Sequence, residues 1–321
     1  MRVEDNDPAP DTIRSIPGIM AMEKNMARQR RVGVVGTGLM GMACAKRLLA
    51  AGFDVSGFDT DAAKRDALVA QGGRAAASVA DIARECGTVV IAVFKTEQVE
   101  DVIEGPGGLL AGLADGALAL TAVCVSTCDP DRIAALAARL TAGRLRYVEA
   151  PVSGTSAQTE RGDALGLIGG DRDAVESARD VIAAICPRWH YLGPAGSGGR
   201  AKLAINLILG INRAGLAEGL VFAERMGLDP AAFLAVARES AAYSQIMDVK
   251  GAKMLAGEFS PQGYVTQSLK DFSLMLEQAR RIGQRLPLAE TYAGLMEGCV
   301  AHGEGELDNA AVINEIRRRI L

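Results

Sequence analysis

The chain has 321 residues, 49% of them hydrophobic and 23% charged, with a net charge of −4. That balance leaves no basic footprint for nucleic acid, and the longest uncharged run, 14 residues over 32–45, is too short to span a bilayer. Six scattered cysteines and two distant histidines give neither a metal spacing nor a catalytic triad; they suit buried, reduced thiols and a cytoplasmic protein.

Residues 1–30 are rich in prolines, charges and methionines without an apolar period, and are expected to form a flexible tail. Order is expected from Arg31. Val32, Val34 and Val35 read as a buried strand. The turn Gly36, Thr37, Gly38, Leu39, Met40, Gly41 leads into a helix over 42–51, and a second strand over 53–58 ends at Asp59. In this reading Gly36 makes the tight turn, Gly38 admits a pyrophosphate, and Gly41 lets helix and strand approach. The helix N-terminus then presents free N–H groups to the phosphates. Asp59, 18 residues after Gly41, is placed to accept hydrogen bonds from a ribose 2′-OH, which favours NAD and leaves NADP open.

Helices over 61–71, 78–85, 98–103, 130–142 and 174–185 alternate with strands over 88–94, 117–125, 145–149, 165–168 and 190–192. This alternation predicts an α/β fold with a mostly parallel, doubly wound Rossmann-type sheet over 31–192. Ligands bind such sheets at the carboxyl ends of the strands. The places to look are Phe94, Lys95 and Thr96; Ser126 and Thr127; and residues 151–155.

From 193 to 321 the pattern is helical only, with helices over 199–226, 230–240, 244–256, 266–282, 287–303 and 310–320. It predicts an all-helical second domain joined to the first by one long helix. Gly210, Gly215 and Gly219 in that helix point to close helix packing, extending to a subunit interface. On the same helix Lys202 precedes Asn206 by four residues, so ammonium and amide share a face one turn apart. Leu203, Ala204, Ile205, Leu207 and Ile208 surround them. Such a lysine is either a helix-end charge that snorkels to water or a group with chemistry to do.

Four strings decide between these readings. VGVVGTGLMGMACAKRLLAAGFDV, EAPVSGTSAQTERGDALGLIGGD, GPAGSGGRAKLAINLIL and Ser268-Leu269-Lys270-Asp271 stand in the order and spacing found in one family. Together they resemble the β-hydroxyacid dehydrogenases, the family of 3-hydroxyisobutyrate dehydrogenase and tartronate semialdehyde reductase, over about residues 31–316. The resemblance implies a nicotinamide cofactor, a small hydroxy-acid or semialdehyde substrate and a homodimer or homotetramer. It implies Lys202 as catalytic acid and base with Asn206 beside it. Ser153, Gly154 and Thr155 would cradle the substrate carboxylate, Ser126 would lie between cofactor and substrate, and Lys270 would close the cofactor site. A lysine base needs a lowered pKa, which burial and a second cation such as Lys270 would supply. The chain departs from the pattern at Thr155, Glu149, Lys95 and Cys124, which bears on the substrate. Two other readings are an imine reductase-like NADPH enzyme, in which the lysine is usually replaced, and a non-catalytic cofactor-binding protein.

Overall fold

This computed structural model describes residues 28–113, 119–140 and 144–319. The expected tail over 1–27 lies outside the described residues. Residues 28–30, assigned above to that tail, are helical and tied to the sheet domain: Arg30 Nη2 donates to Gly52 O at 2.8 Å, and Gly87 N donates to Arg28 O at 3.0 Å.

Six parallel strands form the body of the sheet: β1 Arg31–Val35, β2 Asp54–Phe58, β3 Arg74–Ala75, β4 Thr88–Ile91, β5 Leu120–Cys124 and β6 Leu145–Glu149. Their spatial order is β3-β2-β1-β4-β5-β6, with the reversal between β1 and β4 that opens a crevice at the strand ends. Val32, Val34, Val89, Val90 and Ile91 are all fully buried, because helices cover both faces. Helix α1 Leu39–Ala50 follows β1, and α2 Ala62–Ala70 follows β2 with Asp61 capping it. Helix α3 Val79–Glu85 starts at Ser78, whose hydroxyl accepts Asp81 N at 3.1 Å. Helices α4 Thr96–Glu104, α5 Leu109–Gly112 and α6 Pro130–Leu140 complete this part. The first two residues of the strand expected over 117–125 and the last two of the helix expected over 130–142 lie outside the described residues.

Beyond β6 the chain does what its pattern did not announce. Strand β7 Val152–Ser153 and helix α7 Ser156–Arg161 fill what reads as a loop, and β8 Leu165–Gly170 runs antiparallel to both β6 and β7. The helix expected over 174–185 is two, α8 Arg172–Ser177 and α9 Arg179–Ile185. Ser177 Oγ donates to Ala174 O at 2.7 Å, a side-chain bond that competes with the helical ladder at the break. Strand β9 Arg188–Gly193 pairs with β8 and delivers the chain to the long helix α10 Ser197–Arg225.

Around α10 pack α11 Pro230–Glu239, α12 Gln245–Ala256, α13 Val265–Arg281, α14 Pro287–Ala301 and α15 Val312–Arg318. At 29 residues α10 is long and apolar enough to cross a bilayer by length and composition, but Leu203, Leu216, Ala217, Leu220 and Val221 join a core with Phe272, Tyr292 and Met296. Gly210 packs inward, where an added Cβ would lie 2.4 Å from Phe272 Cζ. At Gly215 an added Cβ meets nothing within 4 Å among the described residues.

What joins the halves is a carboxylate. Glu149, at the end of β6, is 4% exposed and accepts Gly198 N at 2.7 Å and Gly199 N at 3.2 Å. It caps α10 from another element, which satisfies orphan N–H groups and meets the positive end of the helix dipole. Burial raises the Glu149 pKa, and the backbone N–H groups of Gly198, Gly199 and Gly196 pull it back. A Cβ at Gly198 would sit 2.5 Å from Leu167 O, so only glycine lets the helix start this close to β8.

Candidate active site

A cleft of about 1030 Å³ runs from the carboxyl ends of β1, β2, β4 and β5 to the wall formed by α10 and α13. At its sheet end the backbone does the shaping. Gly36 has φ +86° and its N–H donates to Phe58 O at 2.8 Å. A Cβ on Gly41 would lie 1.8 Å from Gly36 O, so the helix can begin only where it does. Gly38 is the helix N-cap, has no side-chain cap, and an added Cβ would meet nothing within 4 Å. The first turn of α1 therefore offers its N–H groups to open space, the geometry a pyrophosphate needs. Gly36, Gly38, Leu39, Met40 and Asp59 line this end.

Thr37, expected in the cofactor turn, serves the scaffold, and Gly41 has the packing role read from the sequence. Thr37 is 2% exposed and does not line the cleft; its N–H donates to Asp59 Oδ2 at 2.8 Å. Gly41 is buried behind the turn. Asp59 also accepts Asp61 N at 3.0 Å, so its carboxylate is held rigidly at the mouth of β2.

Phe94 and Ser126 sit at the ends of β4 and β5 and line the cleft, with Ser126 Oγ donating to Val93 O at 2.6 Å. Lys270 Nζ reaches over from α13 to Thr127 O at 2.6 Å and Phe94 O at 3.3 Å, and lies 5.5 Å from the Phe94 ring centre. Lys95 and Thr96, expected beside them, do not line it. Lys95 is the exposed residue before α4, its N–H held by Gln98 Oε1 at 2.9 Å. Thr96 is 4% exposed and its Oγ1 accepts Asp129 N at 3.0 Å, which ties α4 to α6.

On the opposite wall Lys202 is 7% exposed. Its Nζ donates to Val152 O at 2.6 Å, beside Ser153 and Gly154, and all three residues line the cleft. Burial pulls the ammonium pKa down to about 8; Asp271 opposes this, and Lys270 and Arg213 add to it. Asn206 Nδ2 donates to Asp271 Oδ2 at 2.9 Å, and Asp271 Oδ1 pairs with Lys270 Nζ at 2.9 Å. A carboxylate only accepts, so the Asn206 amide must turn its NH₂ toward Asp271 and leave its carbonyl oxygen for the cleft. Asp271 went unassigned in the sequence reading although it stood in a quoted string; no local spacing tells that it reaches Asn206.

In the loop after β7, Thr155 has a second role. Thr155 caps α7: its Oγ1 accepts Gln158 N at 3.2 Å, and Gln158 Oε1 accepts Thr155 N at 2.9 Å. Its amide is committed to that box and its Oγ1 accepts there, which leaves the hydroxyl hydrogen to donate, and Thr155 lines the cleft with Ser153 and Gly154. Gln158, unnoticed in the sequence, lines the cleft beside it. Tyr243 is exposed and turned away to Asp248 Oδ2 at 2.7 Å. All six cysteines are free and buried.

Comparison with known proteins agrees with this geometry. The family described as the NAD binding domain of 6-phosphogluconate dehydrogenase matches residues 31–193, and that described as NAD-binding of NADP-dependent 3-hydroxyisobutyrate dehydrogenase matches 196–316. L-threonate dehydrogenase of Cupriavidus necator is 32% identical over 88% of this chain and 95% of its own. The crystal structure of 3-hydroxyisobutyrate dehydrogenase from Salmonella typhimurium superposes with TM-score 0.80 at 28% identity, covering 88% of this chain and 99% of that one. Psf3, solved in complex with NADP+ and 2-OPP, does so with TM-score 0.81 at 26% identity, covering 88% and 99%. NAD or NADP is the cofactor these matches support, and the open, uncapped α1 N-terminus fits its pyrophosphate.

Proposed function

The chain belongs to the β-hydroxyacid dehydrogenase family, and from that premise we propose that it interconverts a small 3-hydroxy acid and its semialdehyde or keto acid, with Lys202 as general acid and base. The observation that carries the reading is Lys202 itself: buried, lowered to about 8, facing the cleft and hydrogen-bonded to the carbonyl of Val152. Bound nicotinamide supplies the hydride acceptor or donor. Neutral Lys202 takes the hydroxyl proton during oxidation, and as an ammonium returns it and polarises the carbonyl during reduction. Asn206, oriented by Asp271, presents its oxygen to the hydroxyl. Ser153, Gly154 and the Thr155 hydroxyl receive the substrate carboxylate. At the far end, Asp59 accepts from a ribose hydroxyl and repels a 2′-phosphate, which supports a preference for NAD.

In this reading Lys202→Ala cuts turnover at least about a hundredfold while NADH binding, followed by fluorescence titration, changes by no more than a few fold. Near-wild-type turnover across hydroxy acids and semialdehydes with both cofactors would refute it. The assembly we propose is a homodimer or homotetramer in which α10 contributes its exposed stripe of Ile208, Gly215 and Phe222, the first and last 60% and 64% exposed. A monomeric mass by light scattering would exclude it.

A further inference from the structure

Three cationic side chains are buried among the described residues: Lys202, Lys250 and Arg213. Lys250 has a carboxylate partner, since its Nζ lies 2.7 Å from Asp308 Oδ1 and 2.8 Å from Oδ2. Lys202 titrates and can shed its charge. Arg213 can do neither. A guanidinium stays protonated, and the buried carboxylates of the helical half are engaged elsewhere: Asp271 by Lys270, Asp308 by Lys250, Glu315 by Arg318 and Arg319. Arg213 Nη1 donates to Tyr292 Oη and, at 3.5 Å, to Ser268 Oγ, and its Nε has no partner. Holding a charge this way is costly unless an anion arrives to meet it.

Its place says where that anion would sit. Arg213 lies eleven residues after Lys202, about three helical turns, so both point from one face of α10 into the cleft they line. Along that face the order is Ser153 beside Lys202, then Asn206 against Asp271, then Arg213 against Ser268. Ser268 precedes Asp271 by three residues on α13, about 4.5 Å along its axis. Ser268 Oγ already accepts from Arg213 and from Asn309 Nδ2 at 3.2 Å, which leaves its own hydrogen to donate.

We propose that Arg213 and Ser268 form a second anion subsite, with Ser268 about 4.5 Å along α13 from the Asp271 that holds Asn206, and that the substrate is a hydroxy diacid: one carboxylate at Ser153 and Gly154, the carbinol at Lys202 and Asn206, the other carboxylate on Arg213. The proposal rests on the hydroxy-acid reading of the cleft and adds a specificity to it.

The test separates the two. Glutarate and butyrate differ by one terminal carboxylate and carry no reacting hydroxyl. Titrated by calorimetry into the full chain with saturating NADH, glutarate binds at least about tenfold tighter, the scale of a charged hydrogen-bond pair. Arg213→Met removes the difference between the two acids, and Arg213→Lys keeps only part of it. In turnover, wild type prefers 3-hydroxyglutarate to 3-hydroxybutyrate by a similar factor, lost through KM in Arg213→Met. A structural role for Arg213 predicts instead a large fall in melting temperature and equal weakening of both acids. Equal binding of glutarate and butyrate by wild type, or a preference that survives Arg213→Met, overturns the subsite. A glutarate preference that depends on Arg213 in a protein that oxidises no hydroxy acid upholds the subsite and sinks the chemistry assigned to Lys202.

Discussion

The two ends of the cleft recognise their ligands by opposite means. At the sheet end the protein offers backbone, and its charges are settled: Asp59 holds Thr37 and Asp61, and Gly36 and Gly41 leave room for little but each other. At the helical end it offers side chains, and two buried cations wait without a carboxylate. A phosphate-bearing cofactor shared by many enzymes is held by features any sequence with three glycines can make. A particular substrate has to be told apart by charges that are unfavourable until it binds.

That contrast can be broken in several places. The largest effect is expected where a settled charge of the helical half is unsettled. Asp308→Asn leaves Lys250 buried without its counter-charge and should lower stability by about 3–5 kcal/mol, read by chemical denaturation. A loss below about 1 kcal/mol would mean that buried cations cost little in this half, and the argument for Arg213 would weaken with it. Next comes the backbone at the sheet end. Gly41→Ala drives a methyl into Gly36 O and should cost about 1–3 kcal/mol, with NADH affinity falling while glutarate binding in the absence of cofactor is kept. A variant that binds NADH normally would show that the turn can yield.

Smaller effects sharpen the comparison. Lys202 is lowered to about 8, so the neutral base is populated above that pH. kcat/KM for alcohol oxidation should rise with pH through about 8 and level off, and for carbonyl reduction it should fall through the same range. A flat profile between pH 7 and 9 would remove the lysine from proton transfer. The mildest change is Asp59→Asn, which keeps an acceptor for Thr37 N but loses the charge. It should raise the use of NADP relative to NAD, and an unchanged ratio would discount Asp59 as the ribose ligand.

The same contrast explains what could be read in advance. The parallel sheet, the glycine turn and the run of helices after residue 193 were legible because each is local: valine runs, a turn before a helix, an apolar spacing of three and four. Lys202 and Asn206 stood out for the same reason, as polar residues one turn apart on an apolar face. What escaped depends on contacts across the fold. Strand β7 has two residues and α7 six, too few for a period to show. Thr155, read as part of the cradle, is also a helix cap, because Gln158 three residues on completes the box. Glu149 looked like a mere departure from a motif, and its reach to Gly198 spans 49 positions. Arg213 was in plain view, eleven residues past Lys202, but only the surrounding pairings show that it lacks an acid.

The Glu149 contact also has a mechanical meaning. Because both oxygens are bound to the first turn of α10, the root of that helix is a fixed post on the sheet. Any rocking of the helical half about that post scales with distance from it. Lys202, about 6 Å along the axis from Gly198, is then held nearly still. Proton transfer would sit at the quiet centre of the motion.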